Sequence, residues 1–397
     1  MSTEARSVDL DVTQRTRRRI VIVLSSIATG GAERVAATMA NAWRDTGQEV
    51  WIVSTYLGPR TVSYPLHPGV SVLFLSETTL GSERSLWPLA LRKARALRTI
   101  LMTVRPDVII SFLTNVNVLT IIARANSRIP LIISERTDPL HDTELPLALR
   151  LARTLCYRFA DALVVQTAAA ARRYGAYLRG APRTTVIHNP LPAQLAASST
   201  RPCQDGEGGC VIAMGRLTPE KGYPKLIEAF ARALGDDPGW QLRIWGDGPL
   251  SAHLQTVVDR LQFADRVQLC GLTNQPWAAL AAGQIFVLSS EYEGFPNAML
   301  EAMALGLPCI AFDCPSGARE LADGGRAAML VPCGDVGALA AALRELAGDR
   351  ELRSTFGTRA AAFVRSRFAQ SSVMARWDSL IEEVLAGHDS GAQRARV

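Results

Sequence analysis

Short apolar runs alternate with longer helix-like stretches along the first half of the chain. The runs lie at residues 20–26, 49–55, 71–76, 107–113, 130–135 and 162–167. Their apolar cores lack strict polar–apolar alternation, and such continuous runs are typical of parallel strands that are covered on both faces. The pattern therefore predicts an α/β fold with a doubly wound parallel sheet.

The same alternation restarts after a break. Residues 191–209 are rich in Ala, Ser, Gly and Pro and show no periodicity, so we interpret them as a linker. A chain of 397 residues also exceeds the usual size of one hydrophobic core. We therefore predict two Rossmann-like domains that face each other across a cleft. The remaining predicted segments are a disordered basic tail 1–17, a first domain 18–190, a second domain 210–365, C-terminal helices 366–388 that pack back toward the first domain, and a disordered tail 389–397.

Charge is spread unevenly over the chain. Residues 1–189 hold 24 Lys and Arg against 14 Asp and Glu, whereas the remainder holds 19 against 23, within a net charge of +6. The basic first half suggests an anionic partner, although an arginine-rich composition alone gives the same excess. No aromatic-interleaved basic stripe or zinc-finger spacing favours nucleic acid as that partner.

Cysteine usage and hydropathy bear on location. The seven cysteines are scattered and show no CxxC spacing, which favours a reduced cytoplasmic protein without structural zinc. No apolar run reaches the ~18 residues that a membrane-spanning helix needs, and the N-terminus shows no signal-peptide pattern. We therefore expect a cytoplasmic protein.

Ligands of such sheets bind beyond the carboxyl ends of the strands, and the loop after the first strand carries Gly30-Gly31. Glycines let a ligand approach the backbone, and the following helix offers free N–H groups to an anion. The loop is not a GxGxxG dinucleotide fingerprint, so an ordinary tight turn remains an alternative.

A second strand-end loop combines two cations. Arg216 follows the run 210–215, and Lys221 comes five residues later, before a helix-like stretch. Both cations can converge on the strand end, which suits a diphosphate. Lys221 is also one of few lysines in a chain that otherwise uses arginine, although a solvated turn has the same appearance.

A third strand-end loop carries two glutamates. Glu293 follows the run 284–290, and Pro296 suits the first position of a helix that carries Glu301 about one turn in. The pair fits the acid and base of a hydrolase, or two groups that position a ligand, and Glu301 also fits a solvated helix position. Spacing alone leaves these alternatives open.

These motifs, in this order, resemble the family-four retaining glycosyltransferases of GT-B fold. The resemblance spans about residues 19–385 and rests on "GGAER", "GRLTPEKGYPKLIEAF", "WGDGPL", "EGFPNAMLEAMALGLPCIA" and "GARELADGG". It implies a nucleotide-sugar donor, with UDP expected, bound mainly by the second domain, and an acceptor-binding first domain. It also implies metal independence, which agrees with the lack of a DxD sequence in any strand-end loop, and no cofactor is expected.

The resemblance also implies roles for single residues. Arg216 and Lys221 are expected to neutralise the leaving diphosphate, Glu293 to contact the transferred sugar, and Glu301 to accept hydrogen bonds from the ribose. The base is expected near Gly271 and Leu272. The other donor-binding candidates are Gly31, Gly215, Gly294, Phe295, Pro296, Asn297 and Leu300.

The loop "SERTDPLHD" departs from a His-Asp-like pair that many relatives carry at this position. Its sequence is most similar to members that extend polyprenyl-diphosphate-linked glycans or exopolysaccharide and capsule units. Glu135 and Arg136, together with Gly30, are therefore acceptor-side candidates. The role of His141 is left open.

Two basic amphipathic stretches complete the pattern, at residues 83–104 and 145–161. Such a helix can lie on an anionic membrane surface or contact an acceptor diphosphate. An ordinary crossover helix with a solvated basic side is the alternative, so membrane binding at the inner face of the plasma membrane is a hypothesis.

The sequence thus predicts a retaining, metal-independent glycosyltransferase that acts on a lipid-linked or saccharide acceptor. A nucleotide-sugar epimerase of the same fold is one alternative. A non-catalytic protein that binds a nucleotide sugar or an anionic glycan is another, and turnover of the donor distinguishes it from an enzyme. The sequence does not identify the sugar, the acceptor, the linkage or the oligomeric state.

Overall fold

The computed structural model describes residues 17–28, 30–77, 88–139, 145–178, 180, 182–197, 209–314 and 317–394, with only the backbone for 389–394. Within these residues the chain forms two parallel sheets, of seven and six strands, each flanked by helices. Most of the predicted tail 1–17 and much of the predicted linker 191–209 lie outside the described residues.

The first sheet has the strand order β3-β2-β1-β4-β5-β6-β7, and its neighbouring strands are parallel. The central strands β4, β5 and β6 are buried along their whole length, as expected for a sheet with helices on both faces. The strands are β1 (Arg19–Leu24), β2 (Glu49–Ser54), β3 (Ser71–Phe74), β4 (Val108–Phe112), β5 (Leu131–Ser134), β6 (Ala162–Val165) and β7 (Arg183–Val186). The helices that go with them are α1 (Gly31–Asp45), α2 (Leu89–Val104), α3 (Thr114–Arg124), α4 (Leu147–Cys156), α5 (Ala168–Tyr177) and α6 (Ala193–Ala197).

The second sheet has the order β10-β9-β8-β11-β12-β13 and is also parallel. Its strands are β8 (Gly209–Met214), β9 (Trp240–Trp245), β10 (Val267–Gly271), β11 (Ile285–Leu288), β12 (Cys309–Asp313) and β13 (Met329–Pro332). Its helices are α7 (Tyr223–Leu234), α8 (Ser251–Arg260), α9 (Pro276–Ala281), α10 (Asn297–Ala304), α11 (Gly317–Leu321), α12 (Val336–Gly348) and α13 (Arg350–Arg367), and the chain ends in α14 (Gln370–Arg394).

Both sheets reverse their strand order at the first strand. β1 lies between β2 and β4, and β8 lies between β9 and β11. In open α/β sheets such a reversal leaves a crevice beyond the carboxyl ends of the strands, where ligands bind. The loops after β1, β8 and β11 carry the predicted site residues and lie at these crevices.

The last helix, α14, packs on the first sheet although it follows the second domain in sequence. Trp377 is buried in one core with Ile20, Ile22 and Trp43, and the Trp43 and Trp377 rings meet edge to face at 6.4 Å. Trp43 Nε1 also donates to Asp378 Oδ1 at 2.8 Å. The chain therefore crosses between the domains twice, and α1 and α14 together cover one face of the first sheet.

Three boundaries differ from the sequence prediction. The amphipathic stretch 83–104 is helical from Leu89, and residues 78–87 lie outside the described part. The predicted linker contains α6, because Leu195 is apolar and packs into the core of the second domain. The predicted disorder of 389–397 is wrong as far as Arg394, because a docked helix propagates at low cost once its first turns are held. None of the helices in the described residues is long and apolar enough to cross a bilayer.

Candidate active site

A buried ion pair joins the two domains at the first turn of α1. Arg34 Nη2 lies 2.7 Å from Glu301 Oε1, and Arg34 Nη1 donates to Glu301 Oε2 at 3.1 Å. Trp277 Nε1 donates to the same Oε2 at 3.1 Å. Glu301, on α10, is 1% exposed. A bidentate, charge-assisted pair of this kind fixes the position of α1 relative to α10.

The surroundings of Glu301 set its protonation. Burial raises the pKa of its carboxyl, while the charge of Arg34 and the N–H donors of Trp277 and Arg34 lower it. The carboxylate therefore depends on these donors to stay ionised. Because its oxygens accept these bonds, a ligand hydroxyl that reaches this carboxylate competes with Arg34.

The other predicted glutamate pairs within the second domain. Lys221 Nζ lies 2.6 Å from Glu293 Oε1, and Ser290 Oγ donates to the same oxygen at 2.8 Å. Ser289 Oγ donates to the Lys221 carbonyl at 2.8 Å, which ties the loop after β8 to the end of β11. Gly222 makes this close approach possible: its φ is +63°, and a Cβ there would lie 2.2 Å from the Ser289 carbonyl oxygen.

Arg216 takes a different position from Lys221. Its side chain is 78% exposed, and its ion-pair partner is Glu220, with Nη2 and Oε1 3.5 Å apart. Thr218 Oγ1 donates to the same Glu220 oxygen at 2.6 Å. The structure thus brings Lys221 to Glu293 but leaves Arg216 at the surface of the same loop. The convergence of both cations on a diphosphate stays a prediction.

The loop between β11 and α10 meets the first domain directly. A Cβ on Gly294 would lie 2.0 Å from the carbonyl oxygen of Arg136, so any larger residue there would push the two loops apart. Next along the chain, Asn297 Oδ1 accepts from Asn189 Nδ2 at 2.6 Å. This loop therefore forms part of the domain interface as well as the end of a strand.

The remaining donor-binding candidates of the second domain divide into buried and accessible positions. Phe295 and Leu300 are buried, and Pro296 directly precedes α10. Gly271 ends β10 with a φ of +69°, and the side chain of Leu272 is 69% exposed. Of these residues, Leu272 offers an accessible apolar side chain, which suits the predicted position of a base. The last of these candidates, Gly215, lies beside the Lys221 side chain.

The Gly30-Gly31 loop lies at the same interface. Gly30 N donates to the Tyr64 hydroxyl at 2.9 Å, and that hydroxyl donates to the Gly30 carbonyl at 2.8 Å. Gly31 begins α1, and a Cβ on it would lie 3.1 Å from Asn297 Nδ2. The structure thus brings Gly31 close to the segment that follows Gly294, while Gly30 is held by Tyr64 within the first domain.

Glu135 belongs to a buried network inside the first domain. Its Oε1 accepts from Thr114 Oγ1 at 2.7 Å, from Asn117 Nδ2 at 3.3 Å and from the Tyr157 hydroxyl. Burial, the charge of Glu135 and the nearby Tyr174 raise the pKa of Tyr157, so its hydroxyl remains a donor. These hydrogen bonds anchor the loop after β5, through Glu135, to Thr114, Asn117 and Tyr157.

Arg136 lies on the cleft side of that loop. Its guanidinium stacks over the Phe112 ring at 4.3 Å and donates to Asn189 Oδ1. Burial lowers the pKa of Arg136 to about 9, an effect that the charge of Glu135 opposes. Arg136 is therefore a cation that is held rigidly at the domain interface.

A small, partly open pocket lies between the loops after β5 and β11. Its lining consists of Glu135, Arg136, Thr137, Asp138, Gln166, Thr167, Ala170, Glu293 and Gly294. The acceptor-side candidates Glu135 and Arg136 thus lie in one pocket with the sugar-contacting candidate Glu293. His141 lies outside the described residues. In the part of the chain that the structure describes, no group of three or more His, Cys, Asp or Glu could hold a metal ion.

A second cross-domain contact involves residues that the sequence analysis did not select. His188 Nε2 lies 2.8 Å from Glu320 Oε2, and the Ala168 N–H, at the start of α5, donates to Glu320 Oε1 at 2.7 Å. Burial raises the pKa of Glu320, but the hydrogen bonds from His188 and Ala168 and the charges of His188 and Arg367 outweigh it, and the net shift is downward.

Arg34, Asn189 and Trp277 also contact candidate residues and were not selected by the sequence analysis. Arg34 ends the quoted motif "GGAER", and Asn189 follows β7 in "VIHNPLP". Both therefore had a local signal, since they follow the carboxyl end of a strand. Trp277 had none, because its contact with Glu301 arises only from the packing of α9 against α10.

Two models of protein families match this chain, one on each domain. The model described as "Glycosyl transferase 4-like domain" matches residues 30–190, and the model described as "Glycosyl transferases group 1" matches residues 209–349. Together they cover most of the sequence. The chain belongs to the group 1 glycosyltransferases.

Two curated proteins illustrate the relatives of this glycosyltransferase. The exopolysaccharide phosphotransferase SCO2592 of Streptomyces coelicolor is 35% identical over 237 residues, or 59% of this chain, but the chain spans only 24% of that protein. A Campylobacter jejuni protein is 27% identical over 367 residues, which cover 92% of this chain and 99% of the relative. Its name is GalNAc-α-(1→4)-GalNAc-α-(1→3)-diNAcBac-PP-undecaprenol α-1,4-N-acetyl-D-galactosaminyltransferase.

A solved structure supports the architecture of the glycosyltransferase. Anabaena HepE, in complex with UDP and glucose, superposes with a TM-score of 0.75 at 21% identity, covering 92% of this chain and 100% of HepE. This likeness concerns the fold. The predicted GT-B architecture, with two facing α/β domains, is confirmed.

Proposed function

We propose that this glycosyltransferase transfers a hexose or an N-acetylhexosamine from a UDP-sugar, with retention at the anomeric carbon, to a lipid-linked or saccharide acceptor. The observation that carries the proposal is the pairing of Lys221 with Glu293 at the end of β11, beside the pocket that contains Arg136. One wall of this cleft supplies groups for a donor, and the other supplies groups for an acceptor.

On the donor side, the Glu301 carboxylate accepts hydrogen bonds from the ribose hydroxyls, which replace those from Arg34. Lys221 neutralises the leaving diphosphate, and the exposed Arg216 folds inward to join it. Preorganised cations at developing charge are often the largest contribution to such a reaction. The base lies against Gly271 and Leu272.

Between the two walls, Glu293 orients the hydroxyls of the donor's sugar, together with the backbone amides near Gly294. The acceptor hydroxyl enters the pocket beside Arg136. We assign Glu293 a positioning role, because its contact with Lys221 directs its carboxylate toward the strand end.

Retention follows from attack on the same face as the departing diphosphate, whose oxygen accepts the proton of the acceptor hydroxyl. This step needs no enzyme nucleophile. Incubating the wild type and a Glu293→Gln variant with the donor alone and analysing both by intact mass spectrometry tests the idea, and a separate assay with acceptor measures transfer. We expect weakened transfer by the variant and an unmodified mass for both proteins, and a glycosyl adduct on either protein would refute same-face attack.

We also propose that the reaction needs no metal ion, since Lys221 and Arg216 supply the positive charge that a divalent cation supplies elsewhere. Turnover in the presence of excess EDTA checks this point. Unchanged turnover is expected, and loss of activity that Mg²⁺ or Mn²⁺ restores would contradict it.

The names of the relatives support the proposed substrates. The Campylobacter protein is named for an undecaprenol-diphosphate-linked acceptor, and HepE binds UDP. An acceptor of that kind also supports a location at the cytoplasmic face of the membrane, which we include in the proposal.

The test combines binding with turnover. Thermal-shift measurements with UDP, GDP and ADP identify the nucleotide, because a ligand that binds the folded state raises its melting temperature. Release of the nucleotide from the matching sugar donor is then followed with and without a polyprenyl-diphosphate-linked glycan. Acceptor-dependent release is the expected result, and binding without turnover would contradict the enzymatic function.

A further inference from the structure

Four helices of the first domain form a layer on one face of its sheet. α2, α3, α4 and α5 pack over a shared core with β1, β4, β5 and β6, whereas α1 and α14 pack on the opposite face. The outer side of this layer, here called the α2–α5 face, includes the short helical turn Tyr157–Phe159 that follows α4.

An apolar stripe runs along the outside of α4 and this turn. Leu147, Leu151, Leu155 and Phe159 are 72%, 56%, 59% and 55% exposed. Their spacing of four residues places the three leucines on one side of the helix. The inner side of α4 is already apolar, since Leu149, Ala152 and Cys156 pack against the core. Contact with the sheet therefore does not explain the outer stripe.

The helices of this layer are rich in cations. The helices α2–α5 and the turn Tyr157–Phe159 contain ten Lys and Arg and no Asp or Glu. Of the ten, Arg153 is buried, and Arg124 and Arg173 pair with Asp161 and Asp138. The other seven are Arg92, Lys93, Arg95, Arg98, Arg150, Arg158 and Arg172. An apolar stripe that is surrounded by cations suits the interface of an anionic lipid bilayer. There the apolar side chains enter the boundary of the acyl chains, and the cations bind the anionic headgroups.

The described helices of the second domain lack this pattern. α7, α8, α12 and α13 each contain both basic and acidic residues. In the described part of that domain, Leu272 is the only large apolar residue that is exposed, and it is a donor-binding candidate. Among the described residues, the combination of exposed leucines with helices that contain cations and no acidic residues is thus specific to the α2–α5 face.

We propose that the α2–α5 face is a docking surface for anionic lipid bilayers. The stripe enters the bilayer boundary, and the surrounding arginines bind lipid phosphates. The face adjoins the acceptor side of the site: Tyr157 donates to Glu135, and Thr167 and Ala170 at the start of α5 line the pocket with Glu293. Delivery of a lipid-linked acceptor to that pocket rests on the proposed function, but bilayer binding itself needs neither donor nor acceptor.

Vesicle flotation tests the proposal with the full chain and no substrate. Vesicles of phosphatidylcholine alone are compared with vesicles that also contain phosphatidylglycerol, at 50 mM and 500 mM NaCl. We expect binding to the anionic vesicles at low salt, a marked loss at high salt because exposed charges are screened, and little binding to the neutral vesicles.

Two double variants separate the apolar and the charged contributions. Leu151→Ser/Leu155→Ser removes exposed apolar surface, and Arg158→Gln/Arg172→Gln removes two exposed cations. Each is expected to weaken binding to anionic vesicles by about 10-fold or more, with an unchanged melting temperature. Arg359→Gln/Arg376→Gln has the same change in charge away from the α2–α5 face and is expected to bind like the wild type.

Two results would overturn the proposal. One is the absence of binding to anionic vesicles at low salt, which is what a stripe that serves a protein partner gives. The other is equal vesicle binding by the wild type and the Leu151→Ser/Leu155→Ser variant. Nucleotide release from a UDP-sugar, measured without vesicles on the same variants, reports the proposed function separately.

Discussion

At the residue scale, the carboxylate of Glu301 is held by donors from both domains. Arg34 reaches it from α1, and Trp277 reaches it from α9. Because Glu301 is buried, loss of its charged partner leaves a carboxylate that is poorly solvated. The same contact places Arg34 where a ribose is proposed to bind. Loss of the Arg34 side chain should therefore lower the stability of the protein and raise its affinity for the nucleotide.

Replacement of Arg34 by alanine tests this opposition. We expect the free energy of unfolding to fall by up to about 3 kcal/mol, because a buried ion pair is broken. The affinity for UDP is expected to rise, because ribose hydroxyls no longer displace a guanidinium. Chemical denaturation and titration calorimetry measure the two quantities.

Arg44→Ala is the control for this prediction. Arg44 lies on the same helix, but its guanidinium donates to the Gln48 carbonyl within the first domain. It should leave the affinity for UDP unchanged. An Arg34→Ala variant that binds UDP no better than the wild type would show that Arg34 does not compete for Glu301.

At the element scale, the sequence predicted the strands well and the contacts between domains poorly. The continuous apolar runs of β1, β4 and β6 mark buried parallel strands, and Gly30-Gly31, Lys221 and Glu293 were selected as candidates because each lies in a loop that follows a strand. Such signals are local. The pairing of Arg34 with Glu301 joins positions 267 residues apart, and no pattern along the chain encodes it.

The end of the chain shows the same limit. The periodicity of residues 366–388 predicts helix, but the burial of Trp377 against Trp43 depends on the position of the first domain. The exposure of Arg216 is likewise set by Glu220 and Thr218, its neighbours in the folded loop. Local sequence predicts which loops carry the site, and tertiary packing decides which side chains meet there.

The loop between β11 and α10 supports a prediction at this scale. Gly294→Ala places a methyl group against the carbonyl oxygen of Arg136, at 2.0 Å in the present geometry, so the two loops must separate. We expect kcat/KM for transfer to fall about 100-fold, because small misplacements at a reacting centre have effects of this size. Steady-state assays of nucleotide release measure it.

Gly175→Ala is the matched control, because a Cβ at Gly175, within α5, meets no atom within 4 Å. It should keep full activity and be slightly more stable, since alanine favours a helix over glycine. Equal activity of the two variants would mean that close contact between Gly294 and Arg136 is not needed for transfer.

At the scale of the whole molecule, Glu320 ties α11 to both His188 and the start of α5. Its carboxyl has a lowered pKa in the folded protein. A lowered pKa gives stability that is present above the unfolded value of 4.5 and is lost as the pH falls through the folded value. The contact between the domains should therefore weaken in acid.

A Glu320→Gln variant tests this sign. We expect the wild type to melt at a higher temperature than the variant at pH 7, and the difference to shrink as the pH falls below about 4.5. Differential scanning fluorimetry from pH 7 to pH 3.5 measures it. A difference that stays constant over this range would show that the carboxylate of Glu320 does not stabilise the contact between the domains.

The central claim is that the cleft transfers a sugar and that Lys221 stabilises the departing diphosphate. Its most direct test is kcat for acceptor-dependent nucleotide release by Lys221→Ala, beside Lys225→Ala, whose lysine pairs with Glu291 at 2.5 Å about one turn further along. We expect Lys221→Ala to lose about 100- to 1,000-fold in kcat with little change in melting temperature, and Lys225→Ala to stay within about 3-fold of the wild type. Equal turnover by the two variants, or turnover by neither variant nor the wild type, would contradict the claim.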